Sequence, residues 1–177
     1  SILENEFLAP NDHRAELISN LIQNHGGLIA GVCRFNPGID HAYSYGYLLT
    51  MLKRGEARRY LLGFYGMLAY GMTRDTYSGV EVTNLFTGEN ESTLPHEYSC
   101  SMQLQTLRTM LLREDGDSLI LGEAIPRAWL ADGKRVAVHH APTRFGTLSY
   151  AIVSRIKTGQ IDITLDPPSR NSPKHLT

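Results

Sequence analysis

Apolar residues recur at helical spacing through the first two thirds of the chain and alternate with polar residues in the last third. A stripe of apolar residues three and four positions apart predicts a helix that begins at Asn11 or Asp12 and ends at Asn24. The stripe consists of Leu17, Ile18, Leu21 and Ile22. The next segment, residues 28–35, is mostly apolar without a clear period, so both helix and strand stay open there.

Two further helices are predicted directly after a turn at Asn36-Pro37-Gly38. Asp40 is a good N-cap for a helix over residues 41–54. A third helix then runs from Glu56 to about Met72, and the link between the two is short enough to predict an antiparallel hairpin. The third helix is apolar around most of its circumference, so we expect it to be buried on several sides.

The segment from Thr73 to Pro95 has no clear period and is rich in small polar residues. A connection of this length without secondary structure is usually functional or disordered. Because the segment also carries apolar and aromatic residues, we interpret it as an ordered functional loop. A fourth helix is predicted to begin at His96 or Glu97, directly after the proline, and to end at Arg113.

The pattern after the fourth helix predicts short strands. Partial alternation places them at residues 119–121, 135–139, 148–155 and 160–165, with a one-turn helix at 126–130. The predicted fold class is therefore α+β. We expect helical hairpins over residues 1–115, an antiparallel β domain over residues 116–168, and a loose tail over residues 169–177.

Composition narrows the range of partners. The chain has 177 residues and a net charge of −1, so it lacks the basic face that is typical of nucleic-acid-binding proteins. It contains no run near the roughly 18 apolar residues that a membrane span needs. We therefore expect neither nucleic acid nor a membrane as a partner, and composition does not fix the compartment.

Cysteines and histidines give no indication of a metal or another cofactor. Cys33 and Cys100 are too few for a disulfide scaffold or a four-cysteine zinc site. The pair His96-Glu97 begins like a zinc-protease motif, but Cys100 stands where the second histidine would be needed. The sequence therefore predicts no metal site and no cofactor.

The loop and the start of the fourth helix combine carboxylates with an aromatic residue and an imidazole. Cleavage of a glycosidic bond needs one carboxyl group to protonate the leaving oxygen and a second as base or nucleophile. Glu81 and Glu97 are the candidate catalytic residues, and Tyr77 and His96 are candidates for substrate binding. The alternative is that Glu97 only complements the helix dipole.

A second group of candidates lies at the start of the second helix. Asp40, His41 and Tyr43 place an acid, an imidazole and an aromatic ring within four residues, and together they could line a groove for a sugar. The alternative is a capping aspartate beside a core tyrosine. Two further loop carboxylates, Glu89 and Glu91, are interpreted as solvated charges.

Four short motifs resemble the C-terminal end of bacterial proteins of the six-hairpin glycosidase superfamily. They are Pro95-His96-Glu97 at a helix start, Leu107 to Glu114, Pro126 to Leu130, and Ala141 to Gly146. The resemblance covers roughly Asn11 to Arg155. It implies part of an (α/α)6 toroid of paired helices followed by a small antiparallel β-sheet or sandwich domain.

The resemblance also implies a function. It implies a carbohydrate-active enzyme, glycoside hydrolase-like, that acts on a glycan in a cleft at one end of the toroid, lined by the 73–97 loop. Because these hairpins cannot close a six-hairpin ring, it implies a missing N-terminal part of the same protein or an oligomeric partner. A non-catalytic carbohydrate-binding or scaffolding protein, or an oligomerising interaction module, is the alternative.

Overall fold

The computed structural model describes residue 3 and residues 7–36, 38–90 and 93–177. These residues form an α+β fold of four helices and three small, mostly antiparallel sheets, which confirms the predicted fold class at this level. One helical hairpin is present in them, and a partial toroid is not shown. By its contacts the chain divides into two compact units, Ser1–Thr109 and Met110–Thr177.

The four helices lie close to their predicted positions. They are α1 His13–Asn24, α2 Tyr45–Lys53, α3 Ala57–Tyr70 and α4 Glu97–Leu111. Asp12 caps α1, and its side chain accepts a hydrogen bond from the backbone nitrogen of Arg14 at 2.8 Å. Helix α2 starts later than predicted because a short 3₁₀ turn, Ala42–Ser44, precedes it.

The prediction that α3 is buried on several sides is wrong. One face is buried, by Tyr60, Gly63, Phe64, Gly66 and Met67. The other face exposes Leu62, Tyr65, Leu68 and Tyr70. The buried face packs closely against α2 because it carries glycine. A Cβ at Gly63 would lie 2.4 Å from a methyl group of Leu48 in α2, so the two helices can approach this closely only without a side chain there.

The segment that the sequence left open is a small antiparallel sheet. Its strands are β1 Leu28–Ile29, β2 Val32–Phe35 and β3 Gly38–Ile39, in the order β1-β2-β3. Ile39 and Thr83 exchange both backbone hydrogen bonds at 3.1 Å, and a Cβ at Gly38 would meet the Thr83 carbonyl oxygen at 1.7 Å. Glycine at this position therefore lets the 73–95 loop lie directly against β3.

The described part of the 73–95 loop is built from two turns of the same form. The N–H of Thr73 donates to the carbonyl of Ser78 at 3.0 Å, and the N–H of Asn84 donates to the carbonyl of Glu89 at 2.9 Å. The residue before each closing position has a positive φ, 51° at Tyr77 and 73° at Gly88. The sequence letters do not repeat, so this repetition exists only in the backbone. Glu91 lies outside the described residues.

The second unit consists of two three-stranded sheets. The strands are β4 Leu112–Asp115, β5 Ser118–Leu121, β6 Arg135–Thr143, β7 Gly146–Arg155, β8 Gln160–Asp166 and β9 His175–Leu176. Their orders are β4-β5-β9 and β6-β7-β8. A shared core contains Leu112, Leu119, Ala141, Phe145, Leu148 and Tyr150.

Two details of this unit differ from the sequence pattern. The fourth helix was predicted to reach Arg113, but it ends at Leu111 because β4 pairs with β5 from Leu112 onward. Residues 169–177, predicted as a loose tail, contain β9, which pairs in parallel with β5. A local hairpin decides the first case, and pairing between strands distant in sequence, which local periodicity does not report, decides the second.

Candidate functional site

The candidate site is centred on Asp40, which follows β3 and precedes the 3₁₀ turn. The residue is only 2% exposed, and its Oδ1 accepts a hydrogen bond from the backbone nitrogen of Ala42 at 2.9 Å. That bond is a local turn contact of the kind the sequence predicted for a capping aspartate. The Ile39–Thr83 pairing brings the loop, and with it Glu81, to this carboxyl group.

The surroundings of Asp40 shift its pKa. Burial raises the pKa of Asp40 above its ordinary value, and backbone hydrogen bonds from Ala42 and Tyr43 act in the opposite direction. The charge of Glu81 raises this pKa further, and the charge of His96 lowers it. Asp40, Glu81 and His96 are therefore coupled through their charges, and this coupling has a smaller effect on Asp40 than its burial and its backbone hydrogen bonds have. Asp40 retains its proton to a higher pH than an ordinary aspartic acid.

The two predicted catalytic glutamates lie in different surroundings. Glu81 is partly buried, and its Oε2 accepts a hydrogen bond from the backbone nitrogen of Thr93 at 3.3 Å. Glu97 is the exposed first residue of α4, and no effect of its charge on Asp40 is present. The two glutamates therefore differ in exposure, and Glu81 acts on Asp40 through its charge.

His96 is oriented by the helix that it precedes. Its Nδ1 and the Ser99 hydroxyl are hydrogen-bonded at 2.6 Å. Ser99 is completely buried, so its hydroxyl positions the imidazole and is closed to an attacking role. The backbone nitrogen of His96 donates to Gly79 at 2.9 Å, which ties the helix start to the loop. With Nδ1 engaged, Nε2 is the ring atom left for a ligand or a proton.

Two exposed tyrosines lie beside this group. The Tyr43 and Tyr98 rings meet edge to face, with centroids 6.5 Å apart, and the Tyr98 ring also meets the His96 ring at 6.3 Å. Tyr43 is 59% exposed and Tyr98 39% exposed. Tyr43 was a sequence candidate and Tyr98 was missed. Its place two residues after His96, at a predicted helix start, is the signal that could have found it.

His41 lies inside the fold and not on the surface. The residue is completely buried, and neither ring nitrogen has a hydrogen-bond partner. Burial, and second the charge of His96, lower the pKa of His41 to about 4. Its ring packs against Gly71, whose carbonyl accepts a hydrogen bond from the Gln103 amide at 3.1 Å. In this conformation His41 is a neutral core residue that no substrate can touch.

Tyr77, the remaining candidate for substrate binding, stands at the end of the first loop turn. It is strongly exposed, and among the described residues it makes no hydrogen bond or ring contact with Asp40, Glu81 or His96. A cavity of about 530 Å³ lies between α3 and the two turns, lined by residues that include Tyr70 and Asn84. None of the three coupled groups lines this cavity.

Within the described residues, no group of three or more histidine, cysteine, aspartate or glutamate side chains could hold a metal ion. In the same part of the chain, no helix combines the length and the apolar character needed to cross a membrane.

Comparison of the chain with protein-family models, with curated proteins and with solved structures gave no match. The resemblance to the six-hairpin glycosidase superfamily is therefore wrong, since no family model supports it and the described residues form a small α+β fold of four helices and three sheets. Local structure accounts for the motifs that suggested it. Pro95-His96-Glu97 starts a helix, and Pro126 to Leu130 is a 3₁₀ turn with its cap.

Proposed function

We propose that the site formed by Asp40, Glu81 and His96 is an acid–base centre that cleaves a glycosidic bond in a carbohydrate. The observation that supports this is a buried carboxyl with a raised pKa beside a second carboxylate that is partly open to solvent. Two carboxyl groups whose surroundings separate their protonation states are what glycoside hydrolysis requires. The proposal rests on these side chains and not on any family resemblance.

The roles follow from the surroundings of each group. Asp40, whose pKa is raised by burial, is the acid in this proposal and donates its proton to the glycosidic oxygen as the bond from that oxygen to the anomeric carbon breaks. Glu81, the more accessible carboxylate, takes the proton of the water that attacks this carbon, or attacks the carbon itself before water does. His96 offers Nε2 to a sugar hydroxyl. The products are two sugars with free hydroxyl groups, and one water is consumed.

Access to Asp40 depends on its neighbours. The carboxyl is almost closed to solvent, so a ligand reaches it only if the residues around it move. The exposed rings of Tyr43 and Tyr98 lie beside it and offer apolar faces of the kind that sugar rings contact. A productive substrate must therefore bind against these rings and displace the segment around Tyr43 enough to reach Asp40.

The second candidate function is carbohydrate binding without catalysis. The deep burial of Asp40 together with two exposed tyrosine rings favours it, because ring stacking needs no acid. In this case Asp40 serves the fold by holding the 3₁₀ turn through Ala42. The two functions differ in one result: a binding protein retains its glycan unchanged.

A panel of aryl glycosides and polysaccharides, tested for product release and by calorimetry, separates the candidates. We expect turnover with at least one substrate and a loss on the order of 100-fold or more in Asp40→Asn and in Glu81→Gln. The matched control is Glu97→Gln, which we expect to retain native turnover. Binding without turnover would support the second candidate, and the absence of both would reject both functions.

A further inference from the structure

The two edges of the β6-β7-β8 sheet are protected to different degrees. Strand β7 is central, so β6 and β8 each leave one edge unpaired in the described residues. On β6 the register is interrupted between Val138 and Ala141, His140 has φ 51°, and Pro142 follows. Bulges and prolines are features by which natural sheets prevent edge pairing. The β6 edge is therefore protected.

The β8 edge has none of these features. Strand β8 pairs with β7 over seven consecutive residues without a bulge. Its sequence, QIDITLD, contains no proline, glycine or lysine. Alternate backbone N–H and C=O groups of such a strand point away from β7, which leaves them open to a further strand.

The core-side face of β8 is also uncovered. Ile163 lies opposite Ile152 and Leu165 opposite Tyr150, and these two β7 residues belong to or pack against the core of the unit. Yet Ile161 is 47% and Ile163 65% exposed. The apolar face of the sheet thus continues past its core onto a strand that the described residues leave uncovered.

We propose that β8 pairs antiparallel with β8 of a second copy of this chain, about a two-fold axis at Ile163. In this register Ile163 faces Ile163 of the second copy, and Ile161 faces Leu165, which continues the apolar face across both copies. On the other face Asp162 lies opposite Thr164, and Gln160 opposite Asp166. In this register the apolar residues of the two strands face each other, and no two carboxylates lie directly opposite each other.

Neighbouring registers of the two β8 strands are excluded because they would place carboxylates opposite each other or apolar residues opposite polar ones. An axis at Asp162 would place two Asp162 carboxylates directly opposite each other, and an axis at Thr164 would place Asp162 opposite Asp166. An axis between two residues would pair the apolar face of one strand with the polar face of the other. A strand of an unrelated protein has no reason to match this pattern, which is why a second copy is the occupant.

The size of the interface predicts a weak, concentration-dependent dimer. One seven-residue strand pair with a narrow apolar strip is at the small end of specific interfaces. Light scattering coupled to size-exclusion chromatography, repeated over a concentration series, measures this directly. We expect the mass to rise from the 19.8 kDa of one chain towards twice that value.

Two substitutions on adjacent exposed residues test the register. Ile163→Lys places two ammonium groups on the axis, so we expect a monomer at every concentration. Thr164→Lys, the matched control, places each ammonium opposite Asp162 of the second copy, so we expect a dimer at least as tight as the native one. Circular dichroism and thermal unfolding should show that both variants fold like the native chain.

Cysteine crosslinking provides a second test of the same axis. Ile163→Cys brings two thiols opposite each other, and we expect mild oxidation to give a covalent dimer that the native chain, with Cys33 and Cys100 alone, does not give. Thr164→Cys should crosslink far less. A native chain that stays monomeric throughout, a dimer that survives Ile163→Lys, or equal crosslinking at both positions would each overturn the proposal.

Discussion

A buried ionisable side chain of the second unit has charged partners, whereas one of the first unit has no hydrogen-bond partner among the described residues. In the second unit Arg113 is almost fully buried, yet its guanidinium donates to both oxygens of Glu123, at 2.8 and 2.9 Å, and to Asp115. In the first unit His41 has no hydrogen-bond partner on either nitrogen. The paired Arg113 stabilises the fold, whereas burying the unpartnered His41 costs free energy of folding.

The pKa of Arg113 and the pKa values of Asp40 and His41 also differ in this way. Burial acts to lower the pKa of Arg113, but Glu123 and Asp115 outweigh it, so the net shift is upward and the charge is retained. Burial dominates at Asp40 and His41, so the pKa of Asp40 rises and that of His41 falls. Both of these groups are driven towards their neutral forms. A buried ionisable group with a shifted pKa is a candidate for function, and of these two groups Asp40 is the candidate, since His41 lies in the core where no substrate can touch it.

The largest expected effect separates activity from stability at Asp40. Asp40→Asn removes the transferable proton but keeps an oxygen that can accept from the Ala42 nitrogen. We expect turnover to fall by about 100- to 10,000-fold, while the free energy of unfolding stays close to the native value, because the neutral amide replaces a neutral carboxylic acid of nearly the same size. Steady-state kinetics and urea unfolding of the same preparation check both. A large loss of stability would mean that Asp40 is mainly structural.

The opposite outcome is expected in the second unit. Glu123→Ala leaves the buried Arg113 with Asp115 as its remaining carboxylate, and we expect a loss of about 3 kcal/mol in the free energy of unfolding. The matched control is Lys157→Met, which breaks an exposed ion pair with Asp132 and should cost less than about 1 kcal/mol. Urea unfolding followed by circular dichroism measures both. Equal effects would remove the contrast between buried and exposed pairs.

His41 makes stability depend on pH in a defined direction. Its pKa falls from 6.5 to about 4 on folding, so between these values the unfolded chain binds the proton first. The free energy of unfolding is therefore highest above pH 6.5, and it falls by up to about 3 kcal/mol as the pH falls towards 4. His41→Leu should flatten this dependence without destabilising the protein at pH 7. Thermal unfolding across this pH range would show an unchanged slope if His41 is not responsible.

The smallest expected effect concerns the tyrosine rings. Tyr43→Ala removes one exposed ring beside the site, and we expect the affinity for a bound glycan to fall about fivefold, the equivalent of about 1 kcal/mol of aromatic contact. Tyr77→Ala removes an exposed ring that does not contact the coupled groups and should leave affinity unchanged. Calorimetry with the glycan identified in the substrate panel measures both. Equal losses would place the ligand elsewhere on the loop.

Local pattern predicted the helices because their signals lie within one turn of the chain. Asp12 caps α1, and the start of α4 at Glu97 could be read directly. The predicted apolar stripe of α1 is only half right, since Ile18 and Ile22 pack against the core while Leu17 is 54% and Leu21 58% exposed. The site could not be read this way. Glu81 reaches Asp40 because Ile39 pairs with Thr83, and a contact between residues this far apart in sequence leaves no periodic signal.

Individual candidate residues show which properties depend on the fold and not on the local sequence. Asp40 could be nominated from its place at a helix start, but its raised pKa depends on burial that only the fold reveals. Glu97 has the same composition signal as Glu81, yet it is exposed on α4 and uncoupled from Asp40. The four motifs that suggested a glycosidase toroid are a helix start, a helix end that runs into a strand, a 3₁₀ turn and a hairpin turn. Such local features occur in many folds.

The most direct test is a carbon-13 NMR titration of the Asp40 carboxyl in the native chain and in Glu81→Gln. The coupled site predicts a pKa for Asp40 above its ordinary value of 3.8 and a lower pKa in the variant, since the charge that raises it is removed. A pKa at or below the ordinary value would contradict the buried acid. A raised pKa that does not change in Glu81→Gln would show that the two carboxyl groups do not form one site.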